Sequence, residues 1–323
     1  MQIRALDLFH GAGGSSAGAQ MAGARIVAGI DFWEVSSEAY KKNFQGVRTV
    51  NCDIRKISPK RLHEAIGDID LIVASPECTN HSCAKGAADR CEKSKRTAFQ
   101  VVKFAKEFRP RWMVIENVVQ MKSWSGHPEL LKKLWQLGYY VKEENLNAQD
   151  FGVAQSRRRL FLLCSLSGKA DSVRPTVEKT IPASAIVDYK GSYKFTPLYS
   201  PKRAKATIER AERALAAVGG KEHFLIVYYG TDGSGGWQAL DKPLRTITTL
   251  DRFAYVKPTP MGHMMRMLQP EELKLAMGFP ATYQLDVGTR RDKIKLMGNA
   301  VCPPVMKSII GSLVYSSKSL KKL

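Results

Sequence analysis

The first 166 residues alternate between two kinds of segment, and this alternation constrains the fold more than any other feature of the chain. Short apolar runs rich in β-branched residues predict strands at 3–9, 25–32, 49–54, 69–75, 112–118, 139–147 and 159–166. Amphipathic stretches between them predict helices at 34–43, 58–66, 96–108 and 128–137. Strands that alternate with helices favour an α/β fold, a doubly wound and mostly parallel sheet with helices on both faces.

The character of the sequence changes after residue 166. From Ser167 to about Lys257 the chain is richer in Pro, Gly, Ser and Lys, and its hydrophobic periodicity is weaker. Helices are predicted at 201–218, from Pro270 to a stop at Gly278, and at 303–313, with a loop at 230–236. We therefore expect one domain over 1–166 plus 286–323, and a smaller domain inserted over 167–285.

Charge and cysteine content narrow the class of protein. Fifty Lys and Arg residues against thirty Asp and Glu residues give a net charge of +20, which favours a polyanionic partner such as nucleic acid. No apolar stretch approaches the roughly 18 residues that span a bilayer, and the N-terminus MQIRALDLF is too weakly apolar for a signal peptide. Six scattered cysteines show no disulfide spacing, so we expect a reducing, cytosolic protein without membrane association.

The segment DLFHGAGGSSAGAQMAGA, residues 7–24, predicts a strand, a glycine-rich turn and a helix. Gly11, Gly13 and Gly14 would let the backbone approach a ligand closely, and Asp31, at the end of the next strand, is placed to accept hydrogen bonds from a ribose. The turn lacks the Lys-Ser/Thr ending of a phosphate-binding P-loop. A dinucleotide or an adenosyl cofactor fits this spacing, and a purely structural turn remains the alternative.

Other strand ends also carry polar or reactive side chains. Phe32 is placed to stack on an adenine, and Asp53 to accept from an adenine amino group, although each alone is typical of any strand end. Cys78, in the loop SPECTNHSCAKG, is a candidate nucleophile, a packing residue or the remnant of a nucleophile. Glu77 beside it would raise the pKa of the thiol if the carboxylate faced it.

A carboxylate and two arginines complete the candidate site. Glu116, in VIENV, lies at the end of a buried strand, where a carboxylate is costly unless it is paired or employed. Gln155, Arg157 and Arg159 alternate in QSRRR, so the two arginines should share one face of the chain. They are candidates for phosphate contact or for an ion pair with Glu116.

Taken in order, these segments resemble the cytosine-C5 DNA methyltransferase family. The matching features are DLFHGAGG, Asp31, Asp53, the Pro-x-Cys loop, the Glu-Asn-Val strand, Gln-x-Arg-x-Arg, the 270–280 helix and MGNAVCPPV at 297–305. The resemblance covers nearly the whole chain except about 167–240, where that family places its variable target-recognition region. It implies a Rossmann-like methyltransferase sheet, with the smaller domain reading DNA.

The resemblance also implies a chemistry. Cys78 would attack C6 of a cytosine flipped out of the duplex, and C5 would then take a methyl group from S-adenosylmethionine. Glu116 would hold the N3 edge of the base, while Arg157 and Arg159 would position the base and the carboxylate. The residues expected to bind the cofactor are Phe9, Gly11, Gly13, Gly14, Asp31, Phe32, Asp53, Ile54, Pro76, Asn299, Ala300 and Val301.

The implied partner is double-stranded DNA, bound by a monomer that is cytoplasmic and nucleoid-associated, and the resemblance allows a cognate restriction endonuclease as a companion. A basic loop after Cys78 would close over DNA, although a solvated run of surface charge is the alternative reading. The residues expected to contact DNA are Ser82, Lys85, Lys93, Lys95, Arg96, Gln155, Lys202, Arg203, Tyr228, Tyr229 and Trp237.

The Cys78 loop departs from the family pattern Pro-Pro-Cys-Gln followed by an aromatic residue: Glu77, Thr79 and His81 stand at the altered positions. Cys78, His81 and Cys83 form a C-x-x-H-x-C cluster, but no fourth ligand is evident and we expect no metal. Three alternatives stay open. They are an RNA methyltransferase, whose Cys-Phe-Thr signature is not found, a catalytically silent DNA-binding relative, and an enzyme for a modified cytosine or an unusual cofactor.

Overall fold

The computed structural model describes residues 2–77, 97–229, 233 and 235–319, which form two sheets and their flanking helices. The larger sheet contains β1 (Arg4–Leu8), β2 (Arg25–Asp31), β3 (Arg48–Asn51), β4 (Leu71–Ala74), β5 (Trp112–Asn117), β6 (Tyr140–Asn147) and β7 (Arg158–Ser165). Its strand order is β3-β2-β1-β4-β5-β7-β6, and only β7 pairs antiparallel with its neighbours β5 and β6. The predicted doubly wound, mostly parallel sheet is confirmed.

The helices of the described residues match the predicted helices, with the exception of the helix over Arg290–Asn299, which the sequence pattern did not predict. They are α1 (Gly14–Met21), α2 (Glu34–Asn43), α3 (Pro59–Ile66), α4 (Ala98–Phe108), α5 (His127–Gln136), α6 (Lys205–Val218), α7 (Pro270–Ala276), α8 (Arg290–Asn299) and α9 (Pro303–Ser319). The strand predicted at 49–54 ends early, because the Asp53 side chain accepts from the Arg55 N–H and begins a 3₁₀ turn. None of the described helices is long and apolar enough to cross a membrane.

Alternate residues of the central strands explain why both faces of the larger sheet are covered. In β4, Leu71 and Val73 belong to one buried cluster, whereas Ile72 and Ala74 belong to another. The cluster beneath Ile72 also contains Phe104 and Phe108 of α4. A strand that is buried on both faces reads as a continuous apolar run, which is the pattern LIVA shows.

The smaller sheet lies within the segment predicted to form the second domain. It contains β8 (Thr196–Pro197), β9 (Phe224–Val227), β10 (Trp237–Ala239), β11 (Phe253–Thr259) and β12 (Gly262–Met267), antiparallel in the order β10-β9-β11-β12-β8. Phe224 and Ile226 pack with α6, whereas Leu225 and Val227 join the cluster shared with the larger sheet. The boundaries at 167 and 285 stay a prediction, because one hydrophobic cluster crosses them.

Candidate active site at the strand ends

A cleft of about 900 Å³ opens at the carboxyl ends of β1, β2, β4 and β5, and one side of α8 closes it. This is the edge at which open α/β sheets bind ligands. The described residues that line the cleft are Phe9, Gly11, Asp31, Phe32, Trp33, Ser75, Pro76, Glu77, Glu116, Lys295, Leu296 and Asn299. Six of the twelve residues predicted to bind a cofactor are therefore brought together: Phe9, Gly11, Asp31, Phe32, Pro76 and Asn299.

The turn after β1 is held in an unusual backbone conformation. Phe9 has a φ of 63°, which is rare for a residue with a side chain, and Gly11 follows with a φ of 51°. The Phe9 N–H donates to the Ile30 carbonyl at 2.8 Å, and the Asp31 carboxylate accepts from the Gly11 N–H at 2.9 Å. Strain of this kind clusters at functional sites. Asp31 thus shapes the turn while it also lines the cleft.

The other glycines of the turn serve protein packing. A Cβ on Gly13 would lie 2.3 Å from the Phe44 ring, and a Cβ on Gly14 would lie 2.0 Å from the Val301 carbonyl oxygen. Both glycines are buried, as are Ile54, Ala300 and Val301. These five residues are not among those that line the cleft, and their expected cofactor contacts stay a prediction.

Asp53 also lies outside the cleft lining. Its carboxylate accepts from the Arg55 guanidinium at 2.6, 2.9 and 3.0 Å, and this ion pair lowers the pKa of Asp53. Its predicted contact with an adenine amino group stays a prediction, because the Asp53 side chain is partly exposed and each carboxylate oxygen can accept more than one hydrogen bond.

The cleft contains an aromatic and cationic wall, of which the sequence singled out only Phe32. Phe32 is 71% exposed, which is unusual for a phenylalanine, and Trp33 lines the cleft beside it. The Lys295 ammonium lies 4.1 Å from the centroid of the Trp33 ring. The only signal for Trp33 was its position after Phe32, and Lys295 required the docking of α8 against the strand ends.

Glu116 faces the same cleft and is paired with Arg159. The Arg159 Nε lies 3.1 Å from Glu116 Oε1, and both side chains are largely buried. Burial raises the pKa of Glu116, while the nearby Arg159 and Arg157 oppose this rise. The predicted ion pair is present. A buried carboxyl with a raised pKa beside an arginine is suited to hold or move a proton.

A side chain at the end of β5 holds the segment that leads into the Cys78 loop. Asn117 donates from Nδ2 to the Pro76 carbonyl at 3.2 Å and accepts from the Val118 N–H at 2.9 Å. Glu77 lines the cleft and lies within electrostatic range of the Arg55 guanidinium, whose pKa is raised chiefly by Asp53. The predicted residues Cys78, Thr79, His81, Ser82, Cys83, Lys85, Lys93, Lys95 and Arg96 lie outside the described residues.

Comparison with known proteins identifies the family to which this arrangement belongs. The model of the C-5 cytosine-specific DNA methylase family matches residues 3–315. The chain belongs to this family. It is 26% identical to the type II methyltransferase M.HindV of Haemophilus influenzae, over 98% of each chain. It is 25% identical to M.HgiDI of Herpetosiphon aurantiacus, over 93% of this chain and 90% of the relative.

A solved structure agrees with the fold of this cytosine-C5 methylase. The Dnmt2 methyltransferase of S. pombe superposes with a TM-score of 0.69 over 98% of this chain and 99% of its own, at 19% identity. At that identity the likeness shows the fold alone. The methylase family and the sheet topology, both expected from the sequence, are confirmed.

Two residues of the Gln-x-Arg-x-Arg motif of this methylase are buried at protein contacts. Gln155 has no exposed surface and bonds to Ile247, Ala276 and Met277, so its predicted contact with DNA is corrected. Arg157 is 3% exposed, and its guanidinium donates to backbone carbonyls. A contact between Arg157 and the base is not supported by this geometry, although both arginines border a narrow cavity beside Glu116.

The remaining residues predicted to contact DNA have mixed surroundings. Lys202 is exposed, whereas the Arg203 guanidinium donates to Thr196 Oγ1 and to the Pro197 and Leu198 carbonyls. The Tyr229 hydroxyl donates to the Thr246 carbonyl, and Tyr228 lies under the Arg210 guanidinium. Trp237 lines a surface pocket of about 580 Å³ together with Lys242 and Arg245. The polar groups of Arg203 and Tyr229 thus form hydrogen bonds within the protein.

Cys302, unremarked in the sequence beyond its place in the 297–305 motif, borders the small cavity beside Glu116. Burial raises the pKa of its thiol to about 11. A thiol with such a pKa stays protonated near neutrality, and the thiolate is the nucleophilic form. Cys302 is therefore a packing residue at the back of the site.

A buried carboxyl lies beneath the glycine turn. Asp7 has no exposed surface, and Ser16 Oγ donates to its Oδ2 at 2.6 Å. Ser16 Oγ also lies 2.7 Å from the Tyr40 hydroxyl. Burial is the main cause that raises the pKa of Asp7 to about 7.

Asp7→Asn should change how stability depends on pH. The folded protein binds the Asp7 proton more tightly than the unfolded chain, so the free energy of unfolding falls as pH rises from about 4 to about 7. The wild type should lose on the order of 4 kcal/mol relative to the variant across that range. Urea unfolding at several pH values measures the difference. Asp241→Asn, at an exposed position, is the control, and parallel curves for wild type and Asp7→Asn would contradict the prediction.

Proposed function

We propose that this chain transfers a methyl group from S-adenosylmethionine to C5 of a cytosine in double-stranded DNA, with Cys78 as the nucleophile. The observation that carries the proposal is the Glu116–Arg159 pair, which opens onto the cleft formed by the Phe9–Gly11 turn and Asp31. Pro76 and Glu77 line the same cleft and lead directly into Cys78. The carboxyl, the guanidinium and the approach to the thiol thus meet at one place.

The cleft fits an adenosyl compound. Phe32 offers an exposed ring for stacking, and Asp31 keeps lone pairs for ribose hydroxyls while it accepts from the Gly11 and Trp33 N–H groups. Gly11 has open space where a Cβ would stand, so a ligand can approach its backbone. When bound there, S-adenosylmethionine would supply the methyl group. Pro76 and Asn299 would border it from the nucleophile side and from α8.

The roles of the side chains follow the family. The Cys78 thiolate would form a bond to C6 of the cytosine, which raises electron density at C5. Glu116 would donate a hydrogen bond or a proton at N3, and its raised pKa favours the protonated form. Arg159 would orient that carboxyl. After C5 has been methylated, loss of the C5 proton and cleavage of the Cys78–C6 bond would restore the aromatic ring.

Lys295 is the one cation among the described residues of the lining, and we propose that it binds the cofactor's carboxylate. Lys295→Met keeps an apolar stem over Trp33 but removes the charge. The variant should bind S-adenosylhomocysteine roughly 10- to 100-fold more weakly, the value of a hydrogen bond to a charged group. Its affinity for 5′-methylthioadenosine, which lacks the carboxylate, should stay unchanged. Calorimetry measures both, and equal losses for the two compounds would rule out the contact.

Double-stranded DNA is the proposed partner because the chain carries a net charge of +20. We propose that the domain predicted over 167–285 reads the recognition sequence, with exposed Lys202 and half-buried Trp237 as candidate contacts. A companion restriction endonuclease in the bacterial cytoplasm is proposed from the type II relatives.

Methyl transfer from labelled S-adenosylmethionine tests the function. The purified protein should label duplex DNA, and Cys78→Ala should reduce labelling to background because no covalent adduct can form. Cys52→Ala, at a half-buried cysteine near β3, is the matched control and should retain activity. DNA that contains 5-fluorocytosine should trap the wild type covalently. Label in RNA alone would move the assignment to an RNA substrate, and DNA binding without label or trapping would indicate a silent relative.

A further inference from the structure

We propose that Arg157 is a positioning residue that locks two separate backbone segments together. One lies in the region predicted to recognise DNA, and the other lies beside the cofactor cleft. The first segment is Leu244–Thr248, here named the strap, which lies between β10 and β11 in the domain predicted over 167–285. The cofactor turn is Gly298–Ala300, at the end of α8, where Asn299 lines the cleft. The inference rests on the proposed function, because it assigns DNA to one side and cofactor to the other.

The strap is held by the chain that precedes β7. The Ser156 N–H donates to the Leu244 carbonyl at 2.8 Å, and the Leu244 N–H donates to the Ala154 carbonyl at 2.9 Å. Thr246 Oγ1 donates to the Ser156 carbonyl at 2.8 Å. These bonds bring the strap alongside the motif that contains both arginines.

The side chains of Gln155 and Arg157 bond to the two backbone groups of one strap residue, Ile247. Gln155 Oε1 accepts from the Ile247 N–H at 2.8 Å, and Arg157 Nη1 donates to the Ile247 carbonyl at 2.9 Å. Ile247 itself is buried, so its backbone groups need these partners. The register of the strap is therefore set by Gln155 and Arg157 together.

The same guanidinium holds the cofactor turn. Arg157 Nη2 donates to the Gly298 carbonyl at 2.7 Å and to the Ala300 carbonyl at 3.2 Å. The turn and the strap also touch directly, because a Cβ on Gly298 would lie 2.3 Å from the Thr248 carbonyl oxygen. Asn299, between the two bound carbonyls, faces the cleft. A shift of the strap would therefore be passed to the lining of the cleft.

Arginine is suited to this place, since its planar fork presents several N–H donors in fixed directions and a lysine ammonium presents a single point. Its charge also lies near Glu116, where it opposes the rise in pKa that burial causes. Because strap and turn share one guanidinium, ligands that order either side should stabilise the other, and this coupling is reciprocal. Arg157 thus acts on the reaction through the backbone, without contact with the base.

Hydrogen exchange on the full-length protein tests the lock without requiring activity. Arg157→Lys should raise amide exchange in 244–248 and in 298–301 together, by tenfold or more, on the order of one lost charged hydrogen bond. Gln155→Ala should loosen the strap alone, since Gln155 does not contact the turn. Arg158→Lys, at the exposed neighbouring arginine, should change neither segment. Faster exchange in only one segment of Arg157→Lys, or in neither, overturns the proposal.

A binding measurement tests the functional consequence. In the wild type, plasmid DNA fragments should change the affinity for S-adenosylhomocysteine by roughly 5- to 150-fold, the usual range of coupling between sites. In Arg157→Lys this ratio should fall to about 1, whereas Arg158→Lys should keep it. A ratio that survives in Arg157→Lys, or that is about 1 in the wild type, refutes the coupling. If the wild type couples the two ligands but methylates nothing, the proposed function fails and the lock stands.

Discussion

Replacing Glu116 with glutamine is expected to lower the turnover number for DNA methylation by roughly 100- to 10,000-fold, the usual contribution of a positioned acid or base. Glutamine keeps the shape of the side chain and can donate a hydrogen bond, but it cannot transfer a proton. Glu116 pairs with Arg159 at 3.1 Å and borders the cleft, so the substitution removes the acidic group from an otherwise intact site.

The pH profile distinguishes a proton-transfer role from a structural role. Burial raises the pKa of Glu116, so its protonated form persists to higher pH than that of an exposed glutamate. Wild-type activity should therefore fall as pH rises through this pKa, and the residual activity of Glu116→Gln should lack that limb. Single-turnover rates across the pH range measure both.

Glu129→Gln is the control for Glu116→Gln, because Glu129 lies on the exposed surface of α5, where it pairs with Lys133. It should leave the rate and its pH dependence unchanged. Near-wild-type turnover in Glu116→Gln would contradict the role assigned to this carboxyl. A loss of folded protein, seen as a lowered melting temperature, would show instead that the ion pair with Arg159 is mainly structural.

The hydrophobic pattern of the sequence was sufficient to predict the larger sheet, because each of its central strands is buried on both faces. A run such as LIVA leaves few alternatives to a strand, and the helix over Glu34–Asn43 was predicted at its observed bounds. The smaller sheet was missed. Its strands are as short as Thr196–Pro197, and the weak periodicity of the region predicted only the helix that covers one face.

Some features of the candidate site were predictable from the sequence and others were not. The Glu116–Arg159 pair was predictable, because a carboxylate in an apolar strand requires a partner and the arginine spacing supplied one. The glycine turn itself was predictable, but the role of each glycine was not. A glycine in a sequence does not show whether a ligand or another part of the chain occupies the space that its missing side chain leaves. Gly11 opens to the cleft, whereas Gly14 accommodates the Val301 carbonyl, which arrives from the other end of the chain. Gln155 was misassigned to DNA for the same reason: its partners come from distant segments.

Glu272→Ala is expected to lower the free energy of unfolding by about 3–5 kcal/mol, the cost of breaking a buried ion pair. Glu272 accepts from both Arg266 Nη atoms at 2.7 Å, and its oxygens also accept from the Asp188 N–H at 2.8 Å and the Gln269 N–H at 2.6 Å. Removal of the carboxylate leaves the Arg266 guanidinium buried without its counter-charge.

Aromatic rings increase that cost, because they keep water away from the guanidinium. Arg266 is 4% exposed and lies 4.3 Å from the centroid of the Tyr193 ring and 5.2 Å from that of Tyr255. The cation–π contacts stabilise the charge only in part. Glu272→Gln, which keeps an acceptor for one guanidinium N–H or backbone N–H, should therefore cost less than Glu272→Ala.

Urea unfolding compares these variants with Glu271→Gln, the adjacent residue, whose exposed carboxylate pairs with Lys274. The Glu271 carboxylate is about half exposed, and the buried Lys274 still donates to the Tyr283 carbonyl at 2.8 Å in Glu271→Gln, so its loss should be smaller than that of Glu272→Ala. Equal losses for Glu272→Ala and Glu271→Gln would contradict the prediction. The expected difference matters for the site, since Glu272 joins β12 of the smaller sheet to the first turn of α7. Gln155 in turn contacts Ala276 and Met277 at the end of that helix, so the buried pair supports the same surface that holds the strap.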